Sequence, residues 1–526
     1  MKLNILHRAN PTGESIVNYF RKSWERVSYN EFEMEGYTYL DITAEQGREP
    51  IKININKTRA FMNSVNNQVI EEILALNGIA ANFSSGDLIN KSYDLLILDR
   101  TIISIRQIIY GKGAVNKKYI EENQVSKIAD QARQAMYLLG LDYAMISITV
   151  NRQRKMKVSG VDASPAIRDK DLYVLIHKLD DIKQEYQKGW PKSAEVKLGA
   201  DPEFMIANSK NGKMVAASEF FPREGLIGCD NIRVPSRQQR PVAELRPNPN
   251  ISPTILYSNI KQALEQANKM VPYRNIKWLA GSQPFSGYSI GGHIHFSNLE
   301  LNNQSLRALD NYLGLPVFLI ENQNSSVKRR NKYGHLGDFR VKDYGGFEYR
   351  TPGSWLITPE ITMAVLCLAK IVSSNYRRLK RNYFITVEAQ RAFYKGDQQY
   401  FKQYFEDIWR DIQRLDIYNE YKDQLEPIPN MISGNICWDE KLDIRKSWNL
   451  SKVYNKIYST PKQPAKTSVT SNRVNNNNHN TTNRRSYRSA TSSNLNQIIP
   501  VAAVGSNVSS SASPYTRHSS YPSSYM

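Results

Sequence analysis

Apolar residues recur at helical spacing at Phe61, Val65, Val69, Ile70, Ile73 and Leu74 and stop at Asn77-Gly78, which predicts a helix with a glycine just past its end. Leu95 to Ile97 and Ile102 to Ile109 then read as strands, and Val125 to Leu139 as a second helix ending at Gly140. Ala144 to Val150 and Lys155 to Val158 form a predicted hairpin through Asn151 to Arg154. A charged helical stretch, LIHKLDDIKQEYQ, runs into KGWPKS at 188 to 193, where Pro191 discourages helix continuation. A domain boundary is expected there.

Beyond it, Glu195 to Leu198, Glu203 to Ala207 and Lys213 to Ala217 read as short strands, the last two joined by the turn NSKNG. Ser252-Pro253 opens a helix whose buried stripe is Ile255, Leu256, Ile260, Leu264 and Ala267, and Thr358-Pro359-Glu360 repeats the device before Ile361 to Lys380. Strands followed by helices that cover one face predict an α+β class with an antiparallel sheet. The expected divisions are an α/β domain over 1–190, a core over 191–380, a helical part over 381–455 and a disordered Ser/Asn-rich tail over 456–526.

Composition narrows the function classes. The formal charge is +20, but Ser451 to Met526 carry nine Lys or Arg and no Asp or Glu, so much of the excess sits in the tail and nucleic-acid binding ranks last. Cys229, Cys367 and Cys437 are far apart and odd in number, which gives no disulfide framework and suits a reducing cytoplasm. The longest apolar run, Met363 to Val372, is interrupted by Lys370, so no membrane span is expected.

Four segments in the second half place costly polar residues on strand-like runs. In GADPEF, Asp201 and Glu203 are two apart and so share a face of an extended chain, as two ligands for a hard cation do. GGHIHFS carries His293 and His295 at the same spacing. AELRP and FEYRTP each set an acid two residues before an arginine, Glu244 with Arg246 and Glu348 with Arg350, which suits a metal-binding oxygen beside a phosphate-binding guanidinium. Between them lie Lys328, Arg329, Arg330, Lys332 and Arg340, a basic loop able to clamp phosphates. Taken singly, each segment also suits an exposed strand face or a structural ion pair.

The order GADPEF, AELRP, GGHIHFS, GDFR and FEYRTPGSW resembles the phage phiEco32-like carboxylate-amine ligases, distant relatives of glutamine synthetase. The resemblance implies a glutamine synthetase-like antiparallel sheet and use of ATP with Mg2+ or Mn2+. It also implies joining a small-molecule or peptide carboxylate to an amine through an acyl phosphate. Carried across, Glu203 holds one metal ion, Asp201 and His293 the other with Glu348, and Glu244 is a further metal or substrate ligand and proton acceptor, with Asp230 behind it. Arg340 and Arg350 face the phosphates, with Arg329 or Arg330 beside them, and His295 faces the substrate or orients the site. Two departures stand out: Asp201 is one methylene shorter than the usual glutamate, and Gly346 replaces the leading arginine of R-x-E-x-R.

In the first half, Ala129 to Pro165 resembles the end of an ATP-grasp domain, with Gly160 at the metal-binding glutamate position and Asp162 at the asparagine. This implies a degenerate half whose polar remnants are Asp142 and Asp162 and whose role is substrate presentation. The rival to an active ligase is a catalytically inactive relative serving as a binding or virion-associated protein. Homo-oligomerisation stays open.

Overall fold

A computed structural model describes residues 1–47, 52–83, 89–111, 115–187, 195–235, 237–450 and 456–459. The boundary expected at 188 to 193 and the expected disordered tail beyond residue 459 lie outside the described residues. Met1 to Tyr458 cluster as one unit, whose largest apolar core runs from Leu6 through Ile148, Phe204 and Phe296 to Trp448, with a second under the N-terminal sheet around Leu3, Phe20 and Leu179.

The class is α+β. The first half carries two sheets: four strands in the order Arg26–Met34, Tyr37–Glu45, Lys2–Arg8, Lys52–Ile55, and five in the order Val115–Tyr119, Thr101–Tyr110, Ile89–Leu98, Tyr143–Asn151, Met156–Asp162. Helix Ser126–Leu138 packs on the second of these. The predicted helix over residues 61 to 74 is two helices, Thr58–Val65 and Asn67–Leu76. Asn66 interrupts it because its side chain accepts the Gln68 and Val69 N–H groups and caps the second helix.

An eight-stranded sheet in the second half positions the polar motifs. Its path runs Ile227–Cys229, Val242–Leu245, Lys197–Asn208, Gly292–Ser297, Phe347–Tyr349, Phe339–Val341, with every pairing antiparallel. The two strands read separately at 195 to 198 and 203 to 207 are one strand, Lys197–Asn208, continuing through Pro202. Pro202 sits opposite Gly292, where the missing N–H removes a donor without ending the pairing.

Period-two patterning separates the faces of this sheet. Leu198, Ala200, Phe204, Ile206, Ala243, Leu245, Ile294, Phe296, Phe347 and Tyr349 enter the core. Helix Pro253–Met270, capped by Ser252, packs against strands Lys197–Asn208 and Val242–Leu245, and helix Pro359–Asn375 packs on that helix. The alternate residues, Asp201, Glu203, Glu244, His293, His295 and Glu348, fall on the opposite face.

Candidate active site

Strand register draws these side chains into a line. Glu203 lies opposite Glu244, Asp201 opposite His293, His295 opposite Glu348, and Arg340 opposite Glu348. Neighbouring strands are about 4.8 Å apart, so charges on strands distant in sequence become near neighbours. Above the line lies a cavity of about 490 Å³ whose walls include Asp201, Glu203, Asp230, Glu244, His293, Arg329, Arg340, Lys342, Glu348 and Arg350.

One end of the cavity crowds acids together. Glu203 is 6% exposed and its Oε2 accepts the Gly291 N–H at 2.6 Å. Burial, then the charges of Asp230, Glu244 and Asp201, hold its carboxyl well above the usual range, against the hydrogen bond from the Gly291 N–H. Glu244 is pushed up to about 7 by burial, Asp201 and Asp230, against the ion pair with Arg246. Like charges brought this close under burial are unfavourable unless a cation joins them.

At the centre, His293 Nδ1 lies 3.1 Å from Asp201 Oδ1 and 3.2 Å from Glu348 Oε1. His295 Nε2 lies 3.0 Å from Asp201 Oδ2, and its Nδ1 is 2.9 Å from the Tyr344 hydroxyl. Burial disfavours the charge on Asp201, but the two histidines outweigh it and its carboxyl is held below the usual range. Asp201, His295 and Glu348 present ligand atoms within 4.8 Å of one another. Oxygen and imidazole donors at that spacing fit a divalent cation. The expected set named His293 here, so His295 is the difference; His293 Nδ1 instead bridges Asp201 and Glu348.

The other end gathers cations around Glu348, which is 1% exposed. Arg350 Nε donates to Oε1 at 3.0 Å, Lys342 Nζ lies 2.5 Å from Oε2, and Arg340 Nη1 lies 3.5 Å from Oε2. Burial opposes ionisation of Glu348, but His293 and Lys342 bring its pKa below the ordinary value.

Two arginines depart from expectation. Arg330 is turned into the core, ion-paired with Glu321 and stacked over Phe318 and Phe393, so it does not join the cavity wall. The reason is local: Lys328 to Arg330 end helix Gln323–Arg330, not a loop, and consecutive helical residues point about 100° apart. Arg329 does line the cavity, but its Nη1 and Nη2 donate to the Thr351 and Arg350 carbonyls at 2.7 and 2.8 Å. It braces the chain just past strand Phe347–Tyr349. Asp142 and Asp162 are likewise engaged by the fold: Asp142 pairs with Arg307 at 2.6 Å, and Asp162 accepts the Ser164 N–H at 2.9 Å.

Lys342, Arg223, Tyr333 and Asp338 also line the cavity and were not read from the motifs. Lys342 carried a signal: the alternation Arg340, Lys342 mirrors Glu348, Gly346 across the turn at 343 to 345. The Lys342 N–H donates to the Gly346 carbonyl at 2.9 Å.

A face built this way sets acids and imidazoles beside guanidinium and ammonium groups, a donor set whose chemistry suits divalent cations and phosphates. Residues 198–450, a little under half of the chain, match the family described as phage phiEco32-like COOH.NH2 ligase, type 2. No curated protein matches the chain. Among solved structures, the ATP-grasp ligase PsnB with a minimal precursor is 15% identical over 22% of this chain and 58% of its own, at a TM-score of 0.19. The likeness therefore spans little more than half of that ligase. A bifunctional glutathione synthetase from Pasteurella multocida is 10% identical over 52% of this chain and 49% of its own, TM-score 0.29. A GmaS/ADP complex is 10% identical over 68% and 99%, TM-score 0.23. Scores this low carry no argument about function. No helix among the described residues is long and apolar enough to cross a membrane.

Proposed function

We propose that this protein is an ATP-dependent carbon-nitrogen ligase that joins a carboxylate, from a small molecule or a peptide, to an amine through an acyl phosphate. The observation that carries the reading is the division of one cavity into crowded carboxylates at Glu203 and Glu244 and a cationic cluster at Glu348. Divalent ions neutralise such carboxylates and, when bound, screen the phosphates of ATP.

In this reading Glu203 and Glu244, with Asp230, would hold one Mg2+ or Mn2+, and Asp201, His295 and Glu348 would hold another. His293 keeps Asp201 and Glu348 oriented. Arg340 and Arg350 bind the phosphates and stabilise the transferring phosphoryl group. A substrate carboxylate oxygen attacks the γ-phosphorus and ADP leaves. The amine then attacks the acyl carbon, inorganic phosphate departs, and Glu244 accepts the ammonium proton so that a free lone pair is available.

The test is release of ADP and phosphate with Mg2+ across a panel of amino acids and peptides, alongside Glu203→Ala and His293→Ala. Substrate-dependent release that both variants lose supports the ligase. A wild-type protein that binds no ATP and releases nothing with any pair turns the reading to an inactive relative that serves as a binding protein.

A further inference from the structure

Lys342 is the cavity's least accounted-for charge. It follows Phe339–Val341 in the hairpin that returns to Phe347–Tyr349, and its backbone faces Gly346. Residue 346 has no room for a side chain toward the sheet, because a Cβ there would run into the Phe296 carbonyl oxygen. Residue 346 therefore supplies no cation to this corner of the cavity, and Lys342 on the facing strand is in place to do so.

Its ammonium now lies 2.5 Å from Glu348 Oε2, while Oε1 is occupied by Arg350 Nε at 3.0 Å and His293 Nδ1 at 3.2 Å. Oε2 is thus the oxygen through which Glu348 can reach a divalent ion, and an ammonium at 2.5 Å occupies the same approach. The two cations are alternatives at one oxygen. Lys342 has a long flexible stem and a side chain 22% exposed toward the cavity, so it can leave where buried Glu348 cannot.

We propose that Lys342 is a placeholder for a divalent cation on Glu348 and, once it yields that oxygen, a ligand for the terminal phosphate of the nucleotide. This rests on the ligase reading above and deepens it. The ammonium occupies the carboxylate oxygen and holds its side chain in place before the metal arrives. Afterwards it sits beside Arg340, a free positive charge facing the phosphates that enter with the metal.

The two roles have effects of opposite sign. Removing Lys342 relieves competition for Glu348 and so strengthens binding of the metal alone, yet deletes a phosphate contact and so weakens the triphosphate. Calorimetric titrations of the full chain with Mn2+ alone, with Mg2+ and a non-hydrolysable ATP analogue, and with Mg2+ and ADP separate them. Lys342→Met is expected to bind Mn2+ as tightly as wild type or more so. It is expected to bind the analogue roughly tenfold or more weakly, with ADP changed less. Lys342→Arg restores the analogue, and thermal melting checks that both variants are folded. Unchanged analogue affinity in folded Lys342→Met, or a loss of Mn2+ affinity, overturns the proposal while leaving the ligase reading intact. Wild type that binds neither metal nor nucleotide overturns both.

Discussion

The two halves of the molecule handle buried charge in opposite ways. In the first half several groups have partners of their own. Asp142 pairs with Arg307 at 2.6 Å, Asp94 with Arg106 at 2.6 Å and with the Ser147 hydroxyl at 2.8 Å, and His7 has its Nδ1 3.0 Å from the Arg8 carbonyl oxygen. On the eight-stranded sheet, by contrast, Asp201, Glu203 and Glu244 crowd one another in a single cavity and raise the cost of ionising Glu203 and Glu244. Charge matched within the chain marks scaffold; charge left facing other charge of the same sign marks a place for something the chain does not itself supply.

The largest effect expected from this contrast is at Glu203. Glu203→Gln keeps an oxygen for the Gly291 N–H but removes a metal-binding charge, so ligase turnover should fall by about a hundredfold or more. Thermal stability should hold or rise, because a carboxyl that resists ionisation has been replaced by a neutral amide. A drop in melting temperature together with lost activity would instead put Glu203 among the scaffold charges. The mirror variant, Asp142→Ala, strands the largely buried Arg307 and should lower folding stability by about 3 kcal/mol in urea titrations, with Mn2+ affinity unchanged.

His7 sharpens the comparison through pH. Burial pushes its pKa down to about 4, against the opposing pull of the Arg8 carbonyl and Asp162. An unfolded histidine takes up its proton near 6.5, so between these values only the unfolded chain is protonated and acid favours unfolding. Stability is fully present above about pH 6.5 and declines as pH falls toward 4, by about 2 kcal/mol between pH 7 and 5. Urea midpoints over that window should slope less in His7→Asn, whose amide can still donate to Arg8. An identical slope assigns the dependence elsewhere.

Much of the site could be read from the chain because a strand's period of two is local: GADPEF and GGHIHFS already put Asp201 with Glu203 and His293 with His295 on one face. What stayed hidden was which strands are neighbours. Register, set by non-local pairing, brings Glu244 opposite Glu203 and His293 opposite Asp201 across 41 and 92 residues of sequence. Arg330 was misplaced for a different reason, since a basic run gives no sign of whether it is loop or helix end, and the partner that turns it inward, Glu321, carries no motif. The continuous strand through Pro202 was missed because proline ends most central strands; here the antiparallel pairing simply passes over the missing donor.

The smallest expected effect lies where the halves meet. Asp310 is buried and accepts three hydrogen bonds of 2.7 Å, from the Tyr137 hydroxyl of helix Ser126–Leu138, from the Tyr349 hydroxyl beside Glu348 and Arg350, and from the Gly337 N–H. Gly337 adopts φ +61° and lies so close to the Tyr137 ring that no side chain fits. The next residue, Asp338, lines the cavity, and its carbonyl accepts the Arg350 N–H at 2.8 Å. A first-half tyrosine thus helps hold the cavity wall. Tyr137→Phe keeps the ring and deletes one of the three bonds, so it should cost about 1 kcal/mol of stability. Amide exchange should quicken at 334 to 338 more than at the Asp142–Arg307 contact, and nucleotide affinity should weaken by no more than a few fold. Exchange that quickens equally at both places would mean the two halves loosen as one body, and the division between scaffold charge and site charge would then have no mechanical counterpart.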